Sequence, residues 1–320
     1  MRTAILGCGR WGAFLAWYAA GLGHETTLWG RPGSSNLEEL RHSRKNGYLE
    51  LPAQVTLTDS LADALAAAEL IVVAIRAQQL RSLCARIAGQ GPVSGKTFVL
   101  CMKGLEAETG KRLSEVVDEE LSDRAGTAVW VGPGHVQEFV RGVPNCMLMD
   151  SRDHGITDSA IRHFHGELIR FYYGQDLIGN EIGAAAKNVI GIAAGMLDGF
   201  GLGTLKGALM ARGAREVGRL IEAMGGDALT AYGLSHLGDY EATLFSPHSH
   251  NRRFGELFAR GEPFEKLAEG VATAKALQVL AHRCDVDLPI CCAVCSILFE
   301  KRSPQDALRE LFLRPIKPQF

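Results

Sequence analysis

The chain of 320 residues is 47% hydrophobic and 22% charged, the profile of a soluble globular protein too long for one ordinary core, so two domains are expected. Its formal net charge of −2 argues against a general nucleic-acid or membrane-surface binder, because neither sign dominates. A run of about 18 uninterrupted apolar residues would predict a membrane-spanning helix; none occurs, and MRTAILGCG enters a strand pattern at once, leaving no room for a signal peptide.

Eight cysteines are present, but Cys291, Cys292 and Cys295 fall in one apolar helical stretch. That spacing suits neither a disulfide framework nor the paired CxxC ligands of a structural zinc site. They read as reduced, hydrophobe-like residues of a cytoplasmic protein, and no metal is expected.

Residues 2–6 predict a short strand, followed directly by Gly7-Cys8-Gly9-Arg10-Trp11-Gly12, a GxGxxG turn ahead of a helix over Trp11–Ala20. Gly7 permits the tight turn, Gly9 lets backbone approach a pyrophosphate, and Gly12 lets helix and strand pack closely. The helix N-terminus adds free N–H groups and a partial positive charge. A glycine-rich turn without a ligand is the plainer reading of the same residues. The second strand, Glu25–Trp29, ends at Gly30-Arg31-Pro32-Gly33. An acidic residue there would hold a ribose 2′-hydroxyl; Arg31 instead accommodates a 2′-phosphate, or is an ordinary solvated arginine.

Strand patterns at Val55–Leu57, Leu70–Ile75, Thr97–Met102, Ala128–Val131 and Cys146–Met149 alternate with helix patterns at Ser60–Ala68, Gln78–Ala88, Lys111–Leu121 and Asp153–His165. This alternation predicts a doubly wound parallel sheet of Rossmann type over residues 1–180, with ligands at the carboxyl ends of its strands. Two strand ends carry chemistry. Lys103-Gly104 puts a cation on that rim, and Gly132-Pro133-Gly134 exposes backbone N–H groups suited to an anion.

After Glu181 the strand patterns stop. Glu181–Leu197, Lys206–Ala223, Pro263–Cys284, Ile290–Phe299 and Pro304–Phe312 read as helices, so an all-α domain is expected over 181–320. Its first helix contains EIGAAAKNVIG, where Lys187 interrupts small and apolar residues with Asn188 beside it. A lysine buried there must pair or lose its proton, and a lowered pKa suits general acid–base work. The alternative is a lysine snorkelling from a half-exposed helix. Between the helices, Phe245–Gly255 reads as a donor-rich loop holding Ser249, His250, Asn251, Arg252 and Arg253, or as a plain solvated basic loop.

Taken together, GxGxxG, LWGR (28–31), KGLEAETG (103–110), AKNVIGIAAGMLDGFGLG (186–203), LGDYEAT (237–243), SHNRRFG (249–255) and EGVATAKAL (269–277) resemble the bacterial-type NAD(P)-dependent sn-glycerol-3-phosphate dehydrogenases in order and spacing along nearly the whole chain. The resemblance implies an oxidoreductase of phospholipid-precursor synthesis that interconverts dihydroxyacetone phosphate and sn-glycerol 3-phosphate. Lys187 falls at the catalytic acid–base, with Lys103 and Asp239 as its catalytic partners. Lys103, Gly132, Gly134, Lys187, Asn188, Asp239, Thr243, Ser249, His250 and Asn251 fall at substrate positions. Gly7, Gly9, Arg10, Trp11, Gly12, Arg31, Lys103, Val136, His250 and Glu269 fall at cofactor positions. NADP(H) is preferred on the strength of Arg31, with NAD(H) admissible. The expected partner is a small phosphorylated substrate, in a cytoplasmic protein compatible with a homodimer and without stable membrane insertion.

Two positions depart from the family's pattern. The family usually has Ser or Thr at position 134, where this chain has glycine, and usually Ser-Arg-Asn where this chain has Ser249-His250-Asn251. A permanently charged, bidentate fork becomes a single-point donor that is mostly neutral at pH 7. Losing such a charge-assisted bond, roughly 1.5–3 kcal/mol, weakens phosphate binding unless Arg10 or Arg252 compensates. The departures keep two other readings open: a dehydrogenase of the same fold acting on another polyol or hydroxy acid, and an inactive NADP(H)-binding regulator.

Overall fold

The computed structural model describes residues 2–66, 68–121 and 125–316. They divide into two compact units, one of Met1–Lys103 with Lys111–Glu181, the other of Gly104–Gly110 with Ile182–Phe320. Ala67, inside the helix expected at Ser60–Ala68, and residues 317–320 of the expected second domain lie outside the described residues.

The first unit begins β1 (Thr3–Leu6), α1 (Arg10–Gly21), β2 (Thr26–Trp29), α2 (Ser35–Ser43), β3 (Thr56–Thr58), α3 (Leu61–Ala66), β4 (Leu70–Val73) and α4 (Leu80–Ala88). It continues with β5 (Thr97–Leu100), α5 (Leu113–Leu121), β6 (Gly126–Val131), α6 (Val136–Val140), β7 (Asn145–Asp150), α7 (His154–Phe164) and β8 (Ile169–Tyr173). The strands form one sheet in the order β3-β2-β1-β4-β5-β6-β7-β8. Side chains alternate across a strand, and here both faces are buried. Ile5, Leu28, Val72, Val99 and Trp130 meet Phe14, Leu37, Phe139 and Phe164 on one face. Ala4, Leu6, Ile71, Val73, Phe98 and Leu100 meet Leu65, Leu80, Leu83, Leu113 and Val116 on the other. That is why the central strands read as continuous apolar runs.

The expectation of a parallel sheet is corrected at one place. β7 runs antiparallel to β6, with Trp130 opposite Met149. The link between them holds only the five-residue α6, too short to lay a crossover helix across the sheet. β8, which pairs parallel with β7, has no counterpart in the sequence reading. It is an edge strand with only Ile169 buried, so it lacks the apolar signature of an interior strand.

The second unit is built from α8 (Leu177–Gly199), whose residues from Ile182 onward belong to it, and from α9 (Lys206–Ala223), α10 (His250–Ala259), α11 (Glu269–Arg283), α12 (Pro289–Phe299) and α13 (Pro304–Leu313). In α8, Gly183, Lys187, Gly191, Gly195 and Gly199 recur every four residues and lie on one slowly turning stripe. A β-carbon at Gly195 would come 1.9 Å from Arg252 O, and one at Gly255 would come 2.1 Å from Ile192 O. Thus α8 and α10 cross with backbone against backbone, which only glycine allows.

Two expectations are corrected in this unit. Residues 250–255 are not a loop but the first turns of α10, capped by Ser249, whose hydroxyl accepts from Arg252 N at 3.3 Å. The helix expected over Pro263–Cys284 starts only at Glu269, after an irregular stretch. Among the described residues, no helix is long and apolar enough to cross a membrane, and no group of three or more His, Cys, Asp or Glu is arranged to hold a metal.

Candidate active site

In the first unit the GxGxxG turn has the shape its glycines predict. Gly7 sits at φ +118°, and a β-carbon there would meet Ala74 O at 2.3 Å; at Gly12 it would meet Gly7 O at 1.7 Å. These two glycines are therefore required by packing. A β-carbon at Gly9 would meet nothing within 4 Å. Gly9 is the N-cap of α1, so this open side faces a helix N-terminus and fits an approaching pyrophosphate. Arg10 places its guanidinium over the Tyr48 ring, 5.7 Å from the centroid. Trp11 packs on Phe14 and Phe139. Arg31 is exposed in the turn after β2.

The two chemically loaded strand ends meet. Lys103 Nζ donates to Gly132 O at 2.6 Å, so the cation and the glycine turn share one rim of the sheet. Gly134 sits at φ +148°, and a β-carbon there would come 2.3 Å from Phe139 Cε2. The loss of the usual hydroxyl at this position is thereby explained: the Phe139 ring occupies the space a side chain would need. Val136 is buried at the start of α6.

In the second unit Lys187 is buried, 6% exposed, which excludes the snorkelling alternative. Its Nζ lies 2.8 Å from Asp239 Oδ2 and donates to Thr243 Oγ1 at 2.7 Å. The Thr243 hydroxyl in turn donates to Asp239 O at 2.7 Å. A buried ammonium needs such partners, because desolvation of an unpaired charge costs several kcal/mol. Asn188, the next residue, accepts from Asn251 Nδ2 at 3.0 Å, and Asn251 Oδ1 accepts from Gly270 N at 2.9 Å. Asn251 thus joins α8 to the first turn of α11, which Glu269 opens.

The remaining predicted residues fall differently. The Ser249 hydroxyl caps α10. His250 Nδ1 lies 3.3 Å from Leu267 O, with its ring edge-on to Phe264. Arg252, expected as a substitute phosphate donor, is taken up elsewhere: Nη1 donates to Asp198 Oδ2 at 2.7 Å and Glu256 Oε2 at 3.2 Å, and Nε donates to Ser246 O. Two residues to which the sequence reading gives no role, His236 and Tyr240, are fully buried on either side of Asp239. Their signal is legible: polar aromatics within an apolar helical unit, flanking a predicted catalytic acid. A cavity of about 990 Å³ in this unit is lined by residues such as Leu197, Leu209, Ile290 and Leu311, and by neither Lys187 nor Asp239. It is not where this chemistry sits.

Comparison with known proteins decides the family. Residues 2–156 match the model of the NAD-dependent glycerol-3-phosphate dehydrogenase N-terminus, and residues 176–309 match that of its C-terminus. The chain belongs to the NAD-dependent glycerol-3-phosphate dehydrogenase family. Among relatives of these dehydrogenases, a protein of Prosthecochloris aestuarii named glycerol-3-phosphate dehydrogenase [NAD(P)+] is 37% identical over 100% of both chains. One of Thermoanaerobacter sp. with the same name is 34% identical over 100% of this chain and 99% of its own. A crystal structure of glycerol-3-phosphate dehydrogenase from Coxiella burnetii has a TM-score of 0.92 at 29% identity, covering 98% of this chain and 99% of that one. A glycerol-3-phosphate dehydrogenase of Plasmodium falciparum, 17% identical with a TM-score of 0.87, covers 99% of this chain and 97% of its own and shares the fold. The architecture of a Rossmann-like α/β unit followed by a helical unit is therefore that of the glycerol-3-phosphate dehydrogenases.

Proposed function

We propose that this chain is an NAD(P)H-dependent oxidoreductase that interconverts dihydroxyacetone phosphate and sn-glycerol 3-phosphate, with Lys187 as its acid–base. The observation that carries the reading is a buried amine held by Asp239 and Thr243 in a chain of this family. The relatives' names weigh against another polyol as substrate. The intact Lys187–Asp239 pair weighs against an inactive regulator.

A nicotinamide cofactor, when bound, would provide the hydride exchange at C2 of the three-carbon phosphate. The residues of the chain handle the rest. The turn at Gly7, Gly9 and Gly12 and the α1 N-terminus would hold the pyrophosphate, and Arg10, Trp11, Lys103, Val136, His250 and Glu269 are the residues that would serve the rest of the dinucleotide. Exposed Arg31 takes the 2′-phosphate, so NADP(H) is preferred and NAD(H) also accepted. In reduction the Lys187 ammonium protonates the oxygen developing negative charge at C2; in oxidation the neutral amine takes the hydroxyl proton. Asp239 favours the ammonium by pairing with it, and Thr243 Oγ1 fixes the direction of one N–H. Lys103 supplies a further cation to the substrate oxygen. Asn188, Ser249, His250 and Asn251, with Gly132 and Gly134, complete the substrate contacts. The product enters glycerophospholipid synthesis in the cytoplasm.

Following absorbance at 340 nm with dihydroxyacetone phosphate and either NADPH or NADH tests this directly. Turnover with NADPH exceeding that with NADH is expected, together with little turnover of unphosphorylated dihydroxyacetone. Equal use of the unphosphorylated ketone would remove phosphate recognition from the reading.

A further inference from the structure

The segment that carries Asp239 is tied to α8 by a pair of side chains with no part in the proposed chemistry. His236 and Tyr240 are both 0% exposed. His236 Nδ1 lies 2.8 Å from Gly183 O, and Tyr240 Oη lies 2.7 Å from His236 Nε2. A carbonyl can only accept, so Nδ1 carries the hydrogen. In a neutral ring Nε2 is then a bare acceptor, and the tyrosine hydroxyl donates to it. Burial pushes the His236 pKa down to about 4, with the nearby Lys187 charge acting in the same direction and the Gly183 carbonyl and Asp239 opposing it, so the ring is neutral at physiological pH.

The attachment point is specific. Gly183 lies one turn before Lys187, and in an α-helix its carbonyl also accepts the N–H of Lys187. His236 therefore grips α8 at the turn that carries the amine. It can do so because Gly183 has no side chain: a β-carbon there would stand 3.0 Å from His236 Cβ. At the other end, Tyr240 sits in an apolar cluster with Ile190, Ala194 and Leu244, its hydroxyl beside Gly213. The two anchors flank Asp239 in sequence, and Asp239 N donates to His236 O at 3.0 Å. Neither Asp239 nor Thr243, three residues beyond Tyr240, can slide along the stripe of α8 without breaking this strut.

We propose that His236 and Tyr240 are positioning residues: a neutral Tyr240–His236–Gly183 strut that sets where Asp239 and Thr243 stand relative to Lys187. The proposal rests on Lys187 being the acid–base, and its effect is on kcat rather than on cofactor binding.

His236→Phe keeps the buried ring but makes neither hydrogen bond, whereas His236→Asn retains a donor for Gly183 O. With dihydroxyacetone phosphate and NADPH, His236→Phe should lower kcat by about tenfold or more while KM for NADPH stays within about twofold, and His236→Asn should recover most of the loss. Tyr240→Phe, which removes a single oxygen from an otherwise unchanged ring, should lower kcat by about threefold to tenfold with the melting temperature nearly preserved, and it decides the matter if His236→Phe does not fold. Full kcat in Tyr240→Phe, or a loss in the His236 variants that follows melting temperature alone, would overturn the proposal. A readout free of turnover separates this from the function itself. In protein labelled with ¹⁵N-histidine, His236 should show a protonated Nδ1 and an unprotonated, hydrogen-bonded Nε2 at pH 7. The opposite tautomer sinks the strut even if the enzyme is active, while an enzyme inactive on dihydroxyacetone phosphate with the expected tautomer sinks the functional reading and leaves the strut standing.

Discussion

Lys187 Nζ stands 2.8 Å from Asp239 Oδ2, and the two side chains are only 7% and 1% exposed. Each partner keeps the other from being an isolated buried charge, and breaking such a pair from one side costs about 3–5 kcal/mol. Asp239→Asn and Lys187→Met should therefore each lower stability substantially, and the double variant should be more stable than either single one. Urea unfolding of all four proteins measures this coupling. Additive losses would mean the pair is not energetically joined. Lys187→Met should also lose kcat by several orders of magnitude, as removal of an acid–base group does, with NADPH still bound.

Gly134 and Phe139 form a second linked pair. Restoring a serine at 134 by itself should not restore a phosphate donor, because the residue would be held at φ +148° with its β-carbon 2.3 Å from the Phe139 ring. Strain of this kind costs about 1–3 kcal/mol. Gly134→Ser should lower the melting temperature and raise KM for dihydroxyacetone phosphate. Gly134→Ser with Phe139→Leu should recover part of both losses, leaving the residue with the backbone strain but without the clash.

The glycine stripe of α8 makes a sharper prediction. Gly195→Ala would drive a methyl to 1.9 Å from Arg252 O, and Gly255→Ala would drive one to 2.1 Å from Ile192 O. Gly207, in α9, has nothing within 4 Å of its β-carbon position. There alanine should stabilise the helix by about 0.5–1 kcal/mol. Thermal unfolding should rank Gly207→Ala above wild type and both crossing variants well below it. Equal tolerance at all three sites would mean that α8 and α10 do not meet backbone to backbone.

Much of this arrangement is legible in the sequence because the physics is local. The turn at Gly7–Gly12, the apolar runs of β1, β4 and β5, and the lysine set among small residues each announce themselves within a few positions. What stays hidden depends on partners far along the chain. The reversal of β7 is set by the shortness of its link, and β8 by its place at the sheet edge. The start of α10 reads as a loop because Ser-His-Asn-Arg-Arg is rich in polar donors. Yet Ser249 is a capping residue, and Gly255 is a contact with α8 that no helix-forming scale rewards. His236 and Tyr240 show locally only as polar aromatics beside the predicted acid; the strut they form stays hidden because Gly183, which His236 meets, lies over fifty positions earlier.

The last prediction concerns pH. Glu216 is 1% exposed, and its two carboxyl oxygens accept from Ile290 N at 2.8 Å and Cys291 N at 2.9 Å, closing the N-terminus of α12. Burial dominates over these bonds and over the nearby Arg219 charge, raising its pKa from 4.5 to about 7. A carboxyl with a raised folded pKa binds its proton more tightly in the folded state. Its contribution to stability is complete below the unfolded value near 4.5 and is lost as pH rises through about 7. A tenfold difference in proton affinity is worth about 1.4 kcal/mol, so the loss amounts to a few kcal/mol at most. Glu216→Gln cannot ionise, but it turns one acceptor into a donor facing a backbone N–H. At pH 5 the wild type should melt at the higher temperature. Between pH 6 and pH 8.5 the gap should narrow or reverse, because only the wild type acquires a buried charge. A gap that stays constant across that range would mean that Glu216 does not titrate there, against a folded pKa of about 7.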